Sequence, residues 1–362
     1  MYGIDSKSFE KESLKVIKRD KLRYSEYYDM QAIQNNLYKQ SKEGAKFKKL
    51  FNLIISDENL LLAYRNIKRN KGSNTAGSNG HTIEFWENRT IEQYLDYMKN
   101  RLANYQPQAI RQHDIPKADG KVRTLGIPNI EDRLIQQSIK QILEPICEAK
   151  FHNRSYGFRP LRSTEHAIAY VYRKINLDNC YFVVDVDIKG FFDHISHGKL
   201  LKQMWQMGIQ DKKLLSIISA MLKAKVKGKD EIPTEGVPQG GILSPLLSNI
   251  VLNELDWWIS NQWETYNTKR DFNGSTSHKF RHLRNKSHLK EMYIVRYADD
   301  FKIFCKTKEH AQKVYHAVKL WLKDRLQLEI NAEKSTITDL RKKATKFLGF
   351  EIKTQKKGTK RE

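Results

Sequence analysis

The segment Tyr181–Ile195, YFVVDVDIKGFFDHI, constrains the chain more than any other. Side chains alternate across a strand, so Phe182, Val184, Val186 and Ile188 fall on one face, with Asp185 and Asp187 on the other. Gly190 then breaks the strand. A strand that carries two carboxylates opposite an apolar face needs a solvent face or a cation beside it. A second segment sharpens this. Tyr293–Thr307, YIVRYADDFKIFCKT, is two apolar β-like runs joined through Ala298-Asp299-Asp300. Two carboxylates held about 4 Å apart repel by roughly 4 kcal/mol at an effective dielectric of 20. A fold that gathers three of them calls for a compensating hard cation, and magnesium is the ordinary choice for oxygen donors. Two such ions are the arrangement that nucleotidyl transfer uses.

Charge points to the partner. The 362 residues hold 65 Lys and Arg against 42 Asp and Glu, a formal net charge of +23, so a polyanion is the natural ligand. The basic residues lie in separated segments rather than along one amphipathic helix, which favours nucleic acid over a membrane surface. Met1–Lys15 lacks the apolar core of a signal peptide, and Leu214–Leu222 is too short to span a bilayer. Cys147, Cys180 and Cys305 form no C-x-x-C pair. This excludes a disulfide framework, leaves them as small buried hydrophobes and fits a reducing cytoplasm.

Along the chain, residues 1–105 read as helices with basic faces, interrupted by the loop-like KGSNTAGSNG at Lys71–Gly80. Ile115–Pro128, IPKADGKVRTLGIP, reads as a hairpin turning at Asp119-Gly120. A helix follows over Ile130–Ala149, with Ile135, Ile139, Ile142 and Ile146 at helical spacing. Residues 180–340 mix strands and helices in the manner of an α+β domain, helices packed on an antiparallel sheet. Within them Lys269–Lys290, seven basic residues to one acidic, reads as an exposed loop, and Arg341–Glu362 is a basic tail.

Taken in order, these segments resemble the reverse transcriptase family. The strand with Asp187 and an aromatic, the PQGG segment and the Y-x-D-D hairpin match that family's palm. The group II intron subfamily is similar in more detail, through IPKADGKVRTLGIP, SYGFRP (Ser155–Pro160), DIKGFFDHI, GVPQGGILSPLLSNI (Gly236–Ile250), RYADD and KFLGF (Lys346–Phe350). The resemblance covers about residues 60–352.

It implies a right-hand polymerase of the α+β class. An N-terminal extension would span 1–105 and the fingers 106–179. The palm would span 180–340, with part of the fingers inserted, and a primer-grip turn and basic tail would occupy 341–362, with no thumb. It also implies roles. Asp187, Asp299 and Asp300 would be the catalytic carboxylates, since Phe192 stands five residues after Asp187 where the family has an aromatic. Asp185 would be a neighbour that tunes the field. Asp187, the Ile188 carbonyl and Asp299 would hold two Mg²⁺ ions, with Mn²⁺ as a substitute. Lys334, in LEINAEKS, would protonate the pyrophosphate. Lys117 and Arg123 would clamp the triphosphate, Gln239 would lie near the sugar, and Phe192 would exclude ribonucleotides. Arg159 would contact the template or support the fingers, and Phe347, Leu348 and Gly349 would grip the primer.

Val186 and Asn79 depart from the family, which commonly has a small residue and an Asp at these places. The expected activity is RNA-directed DNA synthesis from dNTPs on an RNA template with a DNA primer, joined to group II intron RNA binding as a maturase. An RNA-binding splicing cofactor with an incidental polymerase site is the alternative from another class, and a defence-associated or cellular reverse transcriptase a third. The sequence leaves dimerisation undetermined.

Overall fold

The computed structural model describes residues 23–116, 120 and 122–354. By packing, the chain divides into two compact units with interleaved segments. The first takes residues up to Lys150 with Met204–Pro233 and Pro238–Ser244; the second takes Phe151–Gln203, Thr234–Val237 and the rest from Pro245. The 106–179 span is therefore shared between them, dividing after Lys150.

The first unit is built on one long helix. Its longer helices before residue 150 are α1 (Met30–Lys42), α2 (Asp57–Lys68), α3 (Ile91–Ala103) and α4 (Ile130–Glu148). The isoleucine spacing that forecasts α4 puts Ile135, Ile139, Ile142 and Ile146 wholly out of solvent. Each such side chain contributes about 2 kcal/mol. α1, α2 and α3 pack around it. α2 starts where Ser56 accepts a hydrogen bond from the Asn59 amide, with Asp57 and Glu58 in the positive first turn. α3 starts on a capping box between Thr90 and Gln93. Where the chain crosses α4, buried amides close the polar gaps: Gln141 donates to Asn59, and Asn59 to the Ser138 carbonyl. The hairpin is present as β1 (Arg111–Pro116) and β2 (Val122–Ile127), antiparallel, with Pro116 opposite Val122. The expected turn residue Asp119 lies outside the described residues, whereas Gly120 has the left-handed φ of 77° that a tight turn requires.

The Gly-rich loop is ordered by α4's entry. Gly77 lies against Asn129, whose side chain a Cβ would meet at 2.1 Å. The Asn79 side chain donates to Glu131 at 3.0 Å. An aspartate at Asn79 would bring two carboxylates together, so the departure from the family suits this neighbour.

The second unit holds a four-stranded antiparallel sheet in the order β4-β5-β3-β6. Its strands are β3 (Phe182–Val186), β4 (Met292–Tyr297), β5 (Asp300–Cys305) and β6 (Thr336–Asp339). Its helices are α5 (Thr164–Asn176), packed on β4, and α6 (His197–Gln206), whose last residues count with the first unit; α7 (Lys212–Leu222) belongs to the first unit. α8 (Ser244–Asn261), α9 (Thr276–Lys286) and α10 (Lys308–Trp321) follow, α10 against β3, β5 and β6. The middle of the sheet is covered on both faces, since Val183 and Val184 are both fully buried. Simple alternation anticipates one apolar face only. Val186 is 2% exposed and packs without a bulge in the ladder, so the larger side chain is accommodated.

One expectation fails. Lys269–Lys290 is not all loop: Thr276–Lys286 is α9, capped by Ser275, which accepts from the His278 amide. Composition concealed it, because only Leu283 along it is buried. A short hairpin ends the described chain, β7 (Thr345–Phe347) and β8 (Phe350–Ile352).

Candidate active site

The central observation is a register. β3 and β5 pair with Asp185 opposite Lys302 and Val186 opposite Phe301. The pairing ends there, and Asp187 and Asp300 are the next residues beyond it along the two segments. β4 and β5 close through Tyr297 and Asp300, leaving Ala298 and Asp299 as the turn. Asp187, Asp299 and Asp300 therefore come to the same end of the sheet.

Electrostatics registers that meeting. Although much of the Asp300 residue is open to solvent, burial of its carboxyl among protein atoms pushes it up to about 6. Lys302 opposes this rise; the charges of Asp185, Asp299 and Asp187 add to it. Asp187 itself is fixed by its backbone. Its carbonyl accepts from the Asn331 amide at 2.8 Å and its amide donates to Ser335 Oγ at 3.1 Å. The Lys189 amide donates to the Glu329 carbonyl, so this short ladder uses the groups on either side of Ile188 and not the Ile188 carbonyl. Lys334 is exposed on the same Asn331–Ser335 loop that holds Asp187.

The donor set is hard oxygen, which suits magnesium. Among the described residues, however, no three His, Cys, Asp or Glu side chains are drawn close enough to form a metal-ligating group. The carboxylates are neighbours that repel, held by the backbone at one strand end.

Asp185 differs from Asp187. Lys302 Nζ donates to Asp185 Oδ2, and the lysine side chain is 1% exposed. Asp185 is committed to that ion pair, and Thr345 Oγ1 lies 3.4 Å from the same oxygen. The Lys302 ammonium also sits 5.3 Å from the Phe347 ring centroid, which joins the carboxylate strand to the β7–β8 hairpin. Phe347 is buried, whereas Leu348 and Gly349 form the turn, both with positive φ (53° and 86°).

Phe191 and Phe192 differ in burial. Phe191 is buried; Phe192 is half-buried and meets it edge-on with ring centroids 5.3 Å apart. The Phe192 carbonyl accepts from the Val237 amide at 2.7 Å. Arg159 is 6% exposed and donates to the His152 and Ser155 carbonyls, bracing its own loop.

In the first unit, the PQGG segment lies against the end of β2. The Gly126 amide donates to the Gln239 carbonyl, and a Cβ on Gly240 would meet the Gly126 carbonyl oxygen at 2.8 Å. Only glycine permits that approach, since Gly240 also has a φ of 113°. Gln136 Oε1 accepts from the Ile242 amide and fixes the far side of the loop. Arg123, exposed on β2, donates through Nε to Gln239 Oε1 at 2.9 Å. Two residues assigned to the nucleotide are thus in contact. Lys117 lies outside the described residues.

Sequence reasoning missed Lys302, which pairs with Asp185, and Ser335 and Asn331, which fix the Asp187 backbone; for Lys302 the available signal was a cation inside the apolar run FKIF.

Residues 115–352 match the family model described as reverse transcriptase (RNA-dependent DNA polymerase). The chain belongs to the reverse transcriptase family. It is 31% identical to the group II intron-encoded protein LtrA of Lactococcus lactis subsp. cremoris over 91% of this chain and 61% of that one. It is 34% identical to protein YkfC of Escherichia coli over 81% and 80%, respectively. A putative COX1/OXI3 intron 2 protein of Saccharomyces cerevisiae is 28% identical over 89% of this chain and 40% of its own length. The chain spans about three fifths of LtrA's length. Among the described residues no helix is long and apolar enough to cross a membrane.

Proposed function

We propose that the protein is an RNA-directed DNA polymerase whose sheet of β3–β6 is a polymerase palm, with the β1–β2 hairpin in its fingers. The single observation that supports this best is the β3–β5 pairing, which ends just before Asp187 and so brings it to the end of the sheet that carries Asp300 and the Asp299 turn. Asp187, Asp299 and the Ile188 carbonyl would hold two Mg²⁺ ions, which supply Lewis-acid activation of a primer hydroxyl and stabilise the leaving pyrophosphate. Asp300 adds negative field beside them. Arg123, with Lys117, binds the triphosphate of a dNTP through charge and bidentate donors, and Gln239 orients it. Phe192 fills the space a ribose 2′-hydroxyl would need. Lys334, carried on the loop that fixes Asp187, donates a proton to the departing pyrophosphate. The Leu348-Gly349 turn positions the primer end, with Phe347 as its buried anchor.

A second activity, group II intron RNA binding as a maturase, is favoured by the similarity to LtrA and by the net charge of +23. The test is primer extension on an RNA template with Mg²⁺, run beside binding to a structured group II intron RNA. Mg²⁺-dependent cDNA is expected. Tight intron binding with no synthesis would replace the polymerase reading with that of an RNA-binding cofactor.

A further inference from the structure

Arg296, the penultimate residue of β4, is fully buried, as are its partners Asp256 and Asn249. The guanidinium donates from Nε to Asp256 Oδ1 at 2.8 Å and from Nη2 to Oδ2 at 2.6 Å. Nη1 donates to Asn249 Oδ1 at 2.9 Å and to the Ala298 carbonyl at 2.8 Å. Asn249 and Asp256 stand seven residues apart on α8, two turns along one face. A buried ion pair is seldom the cheapest way to fill a core, so its fourth contact matters: the guanidinium ends on the peptide that joins Ala298 to Asp299.

That peptide is under strain. Ala298 has a φ of 58°, a left-handed conformation that a non-glycine residue adopts only when held. The same turn is gripped from the other side. The Arg296 amide donates to the Arg154 carbonyl, the Tyr156 amide donates to the Arg296 carbonyl, and Asn249 Nδ2 donates to the Gly157 carbonyl. Gly157 is pressed so closely on the turn that a Cβ there would meet the Ala298 amide nitrogen at 2.4 Å.

We propose that Arg296, oriented by Asp256 and Asn249, is a positioning residue that sets Asp299 by holding the Ala298 carbonyl. The proposal rests on the reading of Asp299 as a metal-holding carboxylate. Arg296 touches no substrate and acts only through one peptide plane. A displacement on the order of 1 Å in a reacting group can cost about a hundredfold in rate, so this hold bears on turnover and not on template affinity.

The test uses the whole chain. Arg296→Lys keeps the charge opposite Asp256 but cannot also reach Asn249 and Ala298 in the same fork geometry. Asn249→Ala leaves the ion pair in place and serves if the lysine variant does not fold. Expected are a fall in kcat of at least about tenfold for Arg296→Lys and severalfold for Asn249→Ala, with template–primer affinity within about twofold of the parent. Amide hydrogen exchange in the 297–301 segment rises in both. Adding Ala298→Gly to Arg296→Lys recovers several-fold of the lost kcat, because glycine takes the left-handed conformation without being held. The proposal is overturned if kcat and turn exchange in both variants match the parent, or if Ala298→Gly recovers nothing. A parent that makes no DNA on any template refutes the polymerase reading instead, and the exchange measurement still decides whether Arg296 holds the turn.

Discussion

Asp185 stands opposite Lys302 across the β3–β5 pairing, and the lysine's ammonium is buried against it. Asp187, two residues on, lies just past the last paired residue, and its charge helps to raise the Asp300 carboxyl. The ends of two short strands thus carry an attractive pair and then charges that repel. The attractive pair ties β3 to β5, and the repulsion falls on the Asp300 carboxyl.

Asparagine at these two aspartates is expected to fail in opposite ways. Asp185→Asn leaves the Lys302 charge without its partner. A fully buried break costs about 3–5 kcal/mol, and because Asp185 is a quarter exposed the expected loss of stability is roughly 1–3 kcal/mol. Its synthesis, measured at low temperature where it stays folded, falls modestly. Asp187→Asn keeps the melting temperature and abolishes synthesis. Urea denaturation and primer extension on both proteins decide this, and equal loss of activity with equal stability would mean the register has been misassigned.

Asp300 makes a prediction about pH. Its carboxyl is raised to about 6 by burial, with the neighbouring carboxylates adding. A raised folded pKa favours folding in acid: the contribution is full below the ordinary carboxylate pKa of about 4 and is lost as pH rises through about 6. At pH 7 the folded parent therefore carries an unfavourable ionised group that Asp300→Asn removes. In chelator the variant melts higher than the parent at pH 7, and the difference closes towards pH 4. A variant that melts lower at pH 7 would show that Asp300 is stabilised by its surroundings.

Gly240 and Gly228 separate strain from collision. Both have positive φ, but a Cβ on Gly228 meets nothing within 4 Å, whereas one on Gly240 meets the Gly126 carbonyl oxygen. Gly228→Ala carries only the conformational cost, about 1 kcal/mol. Gly240→Ala must also move the PQGG loop off β2, and with it Gln239 and its bond to Arg123. Steady-state kinetics should show the KM for dNTP raised about tenfold in Gly240→Ala and unchanged in Gly228→Ala. Equal KM values in the two variants would remove Gln239 from the nucleotide site.

RNA binding is expected to weaken steeply with salt, since neutralised phosphates release counterions. Arg281 and Lys286 are exposed on α9. Replacing both by glutamate should flatten the log–log salt slope by about two if the helix tracks phosphates. A slope that does not change would place the RNA elsewhere.

Legibility in the sequence followed the kind of force involved. Helix α4 was readable because one spacing, that of its isoleucines, decides both its conformation and its buried face. The carboxylates were readable because Asp187 and Asp299 stand beside glycine and turn signals that fix them at strand ends. α9 was not, because its ordering comes from the Ser275 cap and one buried leucine rather than from an apolar stripe. Arg296 and Lys302 were not, because a charge in an apolar run has no visible partner until strands and helices meet: Asp256 lies 40 residues from Arg296, and Asp185 lies 117 from Lys302.

Phe192 tests whether this polymerase makes DNA by exclusion. The 2′-hydroxyl is the only sugar feature that separates an rNTP from a dNTP, so selection has to be built around it. Phe192 is free for that task because its neighbour Phe191 fills the core; Phe192 itself is half-buried, edge-on to Phe191, with its backbone fixed by the Val237 amide. A phenyl ring offers a hydroxyl no hydrogen bond, and a 2′-hydroxyl pressed against it loses water without replacement, at roughly 1–3 kcal/mol. Phe192→Val opens the space while keeping the position apolar. Removing a half-buried ring costs less than the 3–5 kcal/mol of a fully buried one, so the variant remains folded. Its kcat/KM for rNTPs relative to dNTPs should rise at least about tenfold, chiefly through rNTP use rather than loss of dNTP use. The matched control is Phe191→Val, which removes the buried ring: stability should fall and sugar selection should hold. If Phe192→Val melts normally and still rejects ribonucleotides as the parent does, discrimination lies in another residue and Phe192 is only packing.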